Sequence, residues 1–308
     1  HKEWYNNKSI LLPTFGTIPC KEVINIHTFA PYGTISGGTE ELFSVVEFND
    51  CDECLTKMGK TGLLDTTLYD GGFSGGNNGS LVYTMVEQPD GKILVGGNFI
   101  DYDGTEVNNF MRLNSDGTLD ETFFVGGFNS GGYVRAIALQ SDGKILVGGN
   151  FTNYDGYNVG RIIRLNSDGS VDENFTFSTE FNNLVRAIAI QADGKILVGG
   201  EFDYYYDYYC NRIVRLNTDG TPDTTFNTGD GFNGGVFTIN VESTKVPPLY
   251  RSGDEATTYY EDIKIGGWFT EYNNQTSGGI AKLDRDGNLT VLVSVLTLRT
   301  VTQELIKY

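Results

Sequence analysis

The segment QSDGKILVGGNF (Gln140–Phe151) determines the fold, because closely similar segments lie before and after it in the chain. QPDGKILVGGNF begins at Gln88 and QADGKILVGGEF begins at Gln191, so the intervals are 52 and 51 residues. Each copy has an Asp-Gly pair, typical of a hairpin turn, followed by an apolar run typical of a strand buried on both faces. A period of roughly 50 residues is typical of β-propeller blades.

One period predicts a blade of four antiparallel strands. YVRAIALQ is the first strand, KILVGGNF the second, RIIRLN the third and SVDENF the fourth. TNYDGYNVG is predicted as a loop between the second and third strands. Asp-Gly turns join the first strand to the second and the third to the fourth, because these residues accept unusual backbone angles.

The segment IKIGGWF (Ile263–Phe269) is a fourth, more divergent copy. The interval from its Phe to the basic residue of the third strand is 13 residues, as in the other three copies. The copy starts late, because Ile196 to Ile263 is 67 residues and the expected period is 51, an excess of 16. This predicts an insertion between the first and second strands, spanning Glu242–Asp262.

A half copy precedes the first full one. KMGKTGLLDTTL (Lys57–Leu68) aligns with RLNSDGTLDETF, and near the C-terminus LRTVTQ (Leu298–Gln303) resembles VRAIAL. Thr39–Phe48 could supply the missing second strand. The chain is therefore predicted to be all-β, with a β-propeller of five four-stranded blades over residues 57–308. Circular closure would protect the sheet edges. Residues 1–56 are predicted to form a small N-terminal β segment, acting as an anchor or a partial blade.

The repeats resemble a known family. DGKILVGGNF followed by RIIRLNSDGSVDENF resembles the delta-sixty repeat, a propeller-type repeat of bacterial surface proteins and phage virion proteins. The resemblance covers Lys57–Val293, and VVEFNDCDECL in the N-terminal segment resembles stretches of phage tail proteins. The family implies an architecture and carries no general enzymatic activity.

Charge excludes one class of partner. The net charge is −18, and no Lys/Arg patch of the kind that binds nucleic-acid phosphates is visible. No apolar run approaches the roughly 18 residues of a membrane span. We therefore predict neither nucleic-acid binding nor a membrane span.

The cysteines do not predict a metal site. CDEC (Cys51–Cys54) is a C-x-x-C motif, but a zinc site needs a second pair or suitably spaced histidines, and the chain has two histidines. A disulfide between Cys20 and either Cys51 or Cys54, or free buried thiols, is favoured.

The acidic turns resemble calcium loops only in part. DYDG (Asp101–Gly104) and NSDGTLD (Asn114–Asp120) carry closely spaced oxygen ligands. A calcium loop needs six to eight oxygens and usually a bidentate Glu, which is absent at the expected place. The interpretation as plain hairpin turns is favoured, so no metal and no cofactor are predicted.

The carboxylates do not predict catalysis. Asp90, Asp142 and Asp193 recur once per repeat, whereas a glycosidase needs a unique pair of carboxylates in different environments. The unique acidic cluster lies in the insertion and comprises Asp254, Glu255, Glu261 and Asp262. No residue is assigned a catalytic role.

Two arginines share one position on the first strand. Arg135 and Arg186 align with Tyr83 and Phe237 in the other copies. They could hold an anion near a propeller channel, but pairing with carboxylates of adjacent blades is favoured.

The stretch EFDYYYDYYCN (Glu201–Asn211) is the strongest candidate for binding. Tyr205 holds a position that every copy shares and is predicted to pack in the core. Tyr204, Tyr206, Tyr208 and Tyr209 are additional, and rings with hydroxyl groups suit sugar stacking or a protein interface. The alternative is a tyrosine-rich strand face that packs on its neighbour.

The insertion offers a second contact. Pro247, Pro248, Leu249 and Tyr250, followed by an acidic tail, are predicted to dock on a partner protein. The favoured function is therefore a non-enzymatic structural or receptor-facing virion component, such as a phage tail or capsid appendage. It would bind other virion or surface-assembly proteins or a surface glycan, as part of a homo- or hetero-oligomer, on a virion or extracellularly. The alternative is a secreted bacterial glycan-binding propeller or, less favoured, a glycosidase.

Overall fold

A computed structural model describes residues 72–76, 80–123, 127–128, 131–175, 181–245 and 259–292, together with the backbone of three N-terminal strands. Within these ranges all regular elements are strands and there is no helix. The predicted closing strand Leu298–Gln303 and most of the half copy Lys57–Leu68 lie outside the described residues. The predictions of circular closure and of five blades therefore stay predictions.

The N-terminal strands form an antiparallel sheet in chain order. β1 spans Val23–Phe29, β2 spans Leu42–Phe48 and β3 spans Cys51–Met58. β2 is the central strand and pairs with both neighbours. β3 runs to Met58, across the predicted boundary between residues 56 and 57, and the division into two domains stays a prediction.

Each full repeat forms a sheet whose first three strands have the predicted order. In the described ranges these sheets comprise β5, β6 and β9 (Leu81–Glu87, Ile93–Asn98, Phe110–Leu113); β10, β11 and β14 (Val134–Leu139, Ile145–Gly149, Ile162–Leu165); β15, β16 and β19 (Val185–Ile190, Ile196–Gly200, Ile213–Leu216); and β20, β21, β24 and β25 (Val236–Lys245, Tyr259–Gly267, Ile280–Leu283, Leu289–Leu292). The first strand of each sheet packs against the first strand of the next. The sheets therefore stack in chain order, as propeller blades do.

The connection between the second and third strands is a short hairpin and not the predicted loop. The hairpins are β7–β8 (Asp101–Tyr102, Thr105–Glu106), β12–β13 (Asn153–Tyr154, Tyr157–Asn158), β17–β18 (Tyr204–Tyr205, Tyr208–Tyr209) and β22–β23 (Glu271–Tyr272, Gln275–Thr276). In the first repeat, β4 (Phe73–Ser74) adds a third strand to the hairpin. Two central residues connect each pair, which is the length of the tightest β-hairpin turns.

The predicted fourth strand is complete only in the last of the described repeats. In the second repeat it is reduced to a bridge between Leu165 and Val171, and the first and third repeats do the same. The reason is the next residue, Asp172, whose Oδ1 accepts the Asn174 backbone N–H at 3.1 Å and so starts a turn. The fourth repeat has Thr290 at this place, and β25 continues to Leu292.

An aromatic cluster forms the core of each repeat. In the third repeat the Phe181 ring lies 4.3 Å from the Phe202 centroid and 4.5 Å from the Tyr205 centroid. The Tyr205 hydroxyl donates to the Gly220 carbonyl of the following Asp-Gly turn at 2.8 Å. The hydroxyls of Tyr102, Tyr154 and Tyr272 make the same bond to Gly117, Gly169 and Gly287. This bond ties the hairpin of each repeat to its outer turn, and it confirms that Tyr205 is a core residue.

The insertion lengthens the first two strands of the fourth repeat. β20 and β21 pair from Val236–Gly267 outward to Lys245–Tyr259, so the insertion begins as a longer β-hairpin. Its tip, residues 246–258, lies outside the described residues.

Candidate functional site

The hairpin of the third repeat carries a cluster of exposed tyrosines. Tyr204, Tyr206 and Tyr209 are 45%, 64% and 53% exposed, whereas Tyr205 between them is fully buried. Tyr204 and Tyr209 face each other across the strand pair with ring centroids 5.3 Å apart. Tyr208 is partly buried against the core of the repeat. We call residues 204–209 the tyrosine hairpin.

Tyr206 has a backbone conformation that disfavours tyrosine. Its φ is 54°, in the left-handed region, where residues other than glycine, asparagine and aspartate are uncommon. The other repeats have residues suited to this turn position, namely Asp103, Asp155 and Asn273. The left-handed conformation costs roughly 1–2 kcal/mol for an ordinary side chain, and no core packing of the exposed Tyr206 ring offsets this cost.

The other hairpins make the contrast clear. Where the third repeat has Tyr204 and Tyr209, the second repeat has Asn153 and Asn158 and the fourth has Glu271 and Thr276. The backbone pairing is the same in each, so the tyrosines are not needed to form the hairpin.

The tyrosine hairpin is fixed to the body of the repeat. The Asn182 Oδ1 atom accepts the backbone N–H groups of Asp203 and Tyr204 at 2.9 and 3.0 Å. An Arg212 Nη1–Asp203 Oδ1 ion pair of 2.9 Å adds to this anchor. Burial raises the pKa of the neighbouring Cys210 thiol to about 12, so this free cysteine is an unreactive core residue. The exposed rings therefore stand on a rigid support.

A second set of recurrent aspartates, Asp120, Asp172 and Asp223, forms structural ion pairs. In the second repeat Asp172 Oδ2 lies 2.7 Å from both Lys144 Nζ and Arg164 Nε. Burial alone would raise the pKa of Asp172, but hydrogen bonds from Lys144, the Asn174 backbone and Arg164 hold it well below its usual range. The same three-residue cluster recurs as Lys92–Asp120–Arg112 and Lys195–Asp223–Arg215. A carboxylate held ionised in this way is a poor general acid.

Glu261, an acidic residue without a counterpart in the other repeats, connects the fourth repeat to the third. Its side chain is fully buried, and its Oε2 accepts the Gln191 amide at 2.8 Å. Its Oε1 accepts the Ala192 backbone N–H at 2.7 Å and the Ser243 hydroxyl at 3.0 Å. Three donors and complete burial leave this carboxylate no access to a substrate. Asp262 of the predicted cluster pairs with Lys282 at 2.7 Å. Asp254 and Glu255 lie outside the described residues.

A polar cleft of about 550 Å³ lies between the second and third repeats. Its lining comes mainly from turns, including Gln140, Asp142, Asp193 and Thr218. At the next junction Arg285 holds the place of Thr218 and its Nη2 lies 2.5 Å from Asp193 Oδ2, across the two repeats. The cleft between the second and third repeats is therefore open, whereas the Arg285 side chain bridges the corresponding place between the third and fourth repeats.

The two arginines of the first strand have different partners. Arg186 pairs with Glu201 of its own repeat, at 2.5 Å from Nη2 to Oε1, and not with an adjacent blade as predicted. Arg135 forms no ion pair with the carboxylates of the described ranges. Its guanidinium lies over the Tyr83 ring at 3.6 Å.

Trp268 is a surface residue that sequence reasoning missed. It is 80% exposed and packs edge-on against Phe237 with centroids 4.8 Å apart. The signal is the change from GGNF and GGEF to GGWF, which places tryptophan where the other copies are polar.

The structure does not test the predictions for the insertion tip and for the N-terminal cysteines. Pro247, Pro248, Leu249, Tyr250 and Cys20 lie outside the described residues, and the structure describes only the backbone of Cys51 and Cys54. Among the described side chains no group of three or more His, Cys, Asp or Glu could hold a metal ion. The described ranges contain no helix long and apolar enough to cross a membrane.

The stacked sheets and recurrent turns define a class, namely an all-β protein built from β-propeller-type repeats. Residues 88–123, 140–175, 191–226 and 263–289 match the family described as "Domain of unknown function (DUF5122) beta-propeller". The first three segments begin at Gln88, Gln140 and Gln191, so the prediction of β-propeller repeats is confirmed. A search of curated proteins finds no match.

One similar solved structure is the extracellular domain of the putative hybrid two component system BT4673 from B. thetaiotaomicron. The identity is 16%, the match covers 78% of this chain and 25% of that chain, and the TM-score is 0.38. The chain thus spans a quarter of the length of that structure.

Proposed function

We propose that the protein is a non-enzymatic binding module whose tyrosine hairpin recognises a surface glycan. The observation that carries this proposal is Tyr206. It keeps a large aromatic side chain in a left-handed turn position, 64% exposed, where the other repeats have aspartate or asparagine. A residue that costs stability without contributing to the core is best explained by a contact outside the molecule.

The size of the surface favours a sugar over a protein. Three exposed rings on a six-residue hairpin fall well short of the roughly 800 Å² that each partner contributes to a standard protein interface. Aromatic rings with hydroxyl groups offer apolar faces for the ring of a sugar and hydrogen bonds for its hydroxyls. The rigid support of the hairpin reduces the entropy that binding would otherwise cost.

The experiment replaces the exposed tyrosines with the residues of the second-repeat hairpin. The variant Tyr204→Asn, Tyr206→Asp, Tyr209→Asn keeps the turn chemistry and should fold at least as stably as the wild type, because Asp suits the left-handed position. Both proteins would be applied to an array of bacterial surface polysaccharides. We expect the wild type to bind a subset of glycans and the variant to lose at least tenfold in affinity.

A matched control separates the site from general stickiness. Tyr157→Thr alters the corresponding strand of the second-repeat hairpin and should bind like the wild type. Equal binding by the triple variant, or retention of no polysaccharide by the wild type, would contradict the proposal.

The lack of enzymatic activity is part of the proposal. It is supported by the paired state of the buried carboxylates and by the three donors that surround Glu261. We expect no release of reducing ends when the bound polysaccharides are incubated with the protein. Turnover that disappears on Glu261→Gln in a folded variant would reverse this assignment.

The proposal extends to location and assembly. The resemblance to the delta-sixty repeat, found in phage virion and bacterial surface proteins, supports a five-bladed closed propeller displayed on a virion, as a tail or capsid appendage within an oligomer. The insertion with Pro247, Pro248, Leu249 and Tyr250 would then dock on a neighbouring subunit. The same glycan chemistry would serve a secreted bacterial surface protein. Electron microscopy that locates the chain in an intact particle, or its absence from purified particles, decides between the two.

A further inference from the structure

The first strand of every full repeat carries a β-bulge at the same place. The pairing register shifts between Val82 and Thr84, and the corresponding shift recurs in the other described repeats. The bulged residues are Tyr83, Arg135, Arg186 and Phe237. A bulge redirects the side chain of its extra residue, and these four residues occupy equivalent backbone positions near the end of the sheet from which the hairpins leave.

In the third repeat this site is complete. Arg186 donates from Nε and Nη2 to Glu201 Oε1 at 2.9 and 2.5 Å, and its guanidinium lies over the Phe237 ring at 4.4 Å. Glu201 directly follows β16 and is held there by its N–H bond to the Leu184 carbonyl at 2.9 Å. The arrangement joins a charge-assisted pair to a cation–π contact.

In the second repeat the equivalent position lacks the carboxylate, and its arginine packs on an aromatic ring of the preceding repeat, whereas Arg186 packs on one of the following repeat. Arg135 lies over the Tyr83 ring at 3.6 Å and within 5.1 Å of the Tyr133 ring centroid. Asn150 stands where Glu201 stands, with the equivalent backbone bond to the Tyr133 carbonyl at 2.9 Å. The amide of Asn150 carries no charge. The Nε atom of Arg135, which corresponds to a donor atom of Arg186, is buried without a hydrogen-bond partner.

A buried guanidinium N–H without an acceptor is costly, because the group has lost its water and gained nothing in return. Arg135 as a whole residue is only partly buried, so a ligand can approach its side chain. The Tyr83 and Tyr133 rings meet edge to face at 5.8 Å and flank it, which favours a small ligand with an apolar stem.

We propose that Arg135, flanked by Tyr83 and Tyr133, is a binding site for a ligand carboxylate, which takes the place that Glu201 holds beside Arg186. The carboxylate of Glu201 beside Arg186 defines the matching chemistry. The net charge of −18 disfavours ligands with several negative charges. Such a group occurs on acidic sugars and at the C-termini of peptides. The site is separate from the tyrosine hairpin and does not depend on the function proposed for it.

The test measures binding of D-glucuronate and of N-acetylalanine, with D-glucose and N-acetylalanine amide as neutral controls. Titrations would be followed by the arginine Nε–Hε signals in NMR spectra. We expect the Arg135 signal to shift saturably with the carboxylates and not with the neutral compounds. A higher affinity for D-glucuronate assigns the site to acidic sugars, and a higher affinity for N-acetylalanine assigns it to peptide C-termini.

Two reciprocal variants test the mechanism. Asn150→Glu supplies an internal carboxylate and should weaken ligand binding at least tenfold in a folded protein. Glu201→Asn should open an equivalent site at Arg186, so that a second arginine signal responds and the stoichiometry rises from one to two. The hairpin triple variant should bind the carboxylates like the wild type. The proposal is overturned if neither carboxylate shifts the Arg135 signal, if the neutral compounds shift it equally, or if Asn150→Glu binds like the wild type.

Discussion

The second and fourth repeats share a backbone but place their charges differently. In the second repeat a buried aspartate, Asp172, lies between Lys144 and Arg164. In the fourth repeat the corresponding positions hold Thr290, Asp262 and Lys282, and the two charges form an exposed pair 2.7 Å apart. Where threonine replaces the central carboxylate, the lysine position is acidic, so the fourth repeat keeps one pair of opposite charges.

The difference also changes how the repeats connect. The Arg164 Nη1 atom donates to the Thr218 carbonyl of the third repeat, so the buried cluster joins one repeat to the next. At the junction of the third and fourth repeats Arg215 Nη1 makes the same bond to the Arg285 carbonyl. The side chains of Glu261 and Arg285 add bonds to Gln191 and Asp193 there. The recurrent link is therefore supplemented by local side-chain bonds at this junction, and the two kinds of contact are expected to differ in their sensitivity to mutation.

The largest effect is expected for Asp172→Asn. The change leaves Lys144 and Arg164 without a counter-charge in a site where the aspartate side chain is 3% exposed. Breaking a buried ion pair from one side costs about 3–5 kcal/mol, and we expect a loss of stability of about 3 kcal/mol in urea unfolding.

The matched control is Asp262→Asn in the fourth repeat. Its ion pair with Lys282 is 35–46% exposed, and such pairs contribute at most about 1 kcal/mol. Equal losses in the two variants would show that the buried cluster has no special role.

The same cluster predicts a dependence on pH. The pKa of Asp172 lies below its unfolded value, so its contribution to stability is present above an unfolded pKa of about 3.9 and is lost as the pH falls through this value toward the folded pKa. The gap in unfolding free energy between wild type and Asp172→Asn should stay constant from neutral pH to about pH 5 and narrow below about pH 4. An undiminished gap at about pH 3 would be inconsistent with an ionised Asp172.

A smaller effect is expected for Glu261→Gln. The carboxylate accepts hydrogen bonds from Gln191, Ala192 and Ser243, and the new amide group places a donor against these donors. Hydrogen bonds to charged groups are worth about 1.5–3 kcal/mol, so we expect a loss of about 2 kcal/mol. Local hydrogen exchange should rise around Gln191 and Ser243 but not around Asp172. Uniform exchange throughout the chain would argue against a local joint.

The smallest loss of stability is expected on removing the core tyrosine hydroxyl, and it should be equal in the second and fourth repeats. Tyr154→Phe and Tyr272→Phe each remove a hydroxyl that donates to a turn carbonyl, at 2.8 and 2.6 Å. We expect each to cost about 1 kcal/mol, because a buried carbonyl loses its partner. Tyr206→Phe on the surface is the control and should change stability by less than about 0.5 kcal/mol. Unequal losses from the two core tyrosines would mean that the repeats differ in their cores as well as in their charges.

The sequence alone determined the period, the strand order and the shared core positions. These features follow from local patterns, since an Asp-Gly pair specifies a turn and an apolar run specifies a buried strand. The 13-residue interval from Phe to the basic residue located the fourth repeat despite its insertion. The shortened fourth strand was not predictable in this way, because it ends where Asp172 Oδ1 accepts the Asn174 backbone N–H. The other carboxylate oxygen of Asp172 is held by Lys144 and Arg164, which lie far away in the sequence.

Only the tertiary structure decided the character of the candidate sites. In YYYDYY (residues 204–209) buried and exposed positions are both occupied by tyrosine, so residue type does not distinguish them. Tyr205 is buried because it packs on Phe181, a residue 24 positions earlier, while Tyr206 beside it points outward from a left-handed turn. Arg135 and Arg186 likewise occupy the same position in the closely similar strands VRAIAL and VRAIAI. They differ in the residue that meets them across the bulge, Asn150 or Glu201, because pairing across a sheet joins residues that the sequence keeps apart.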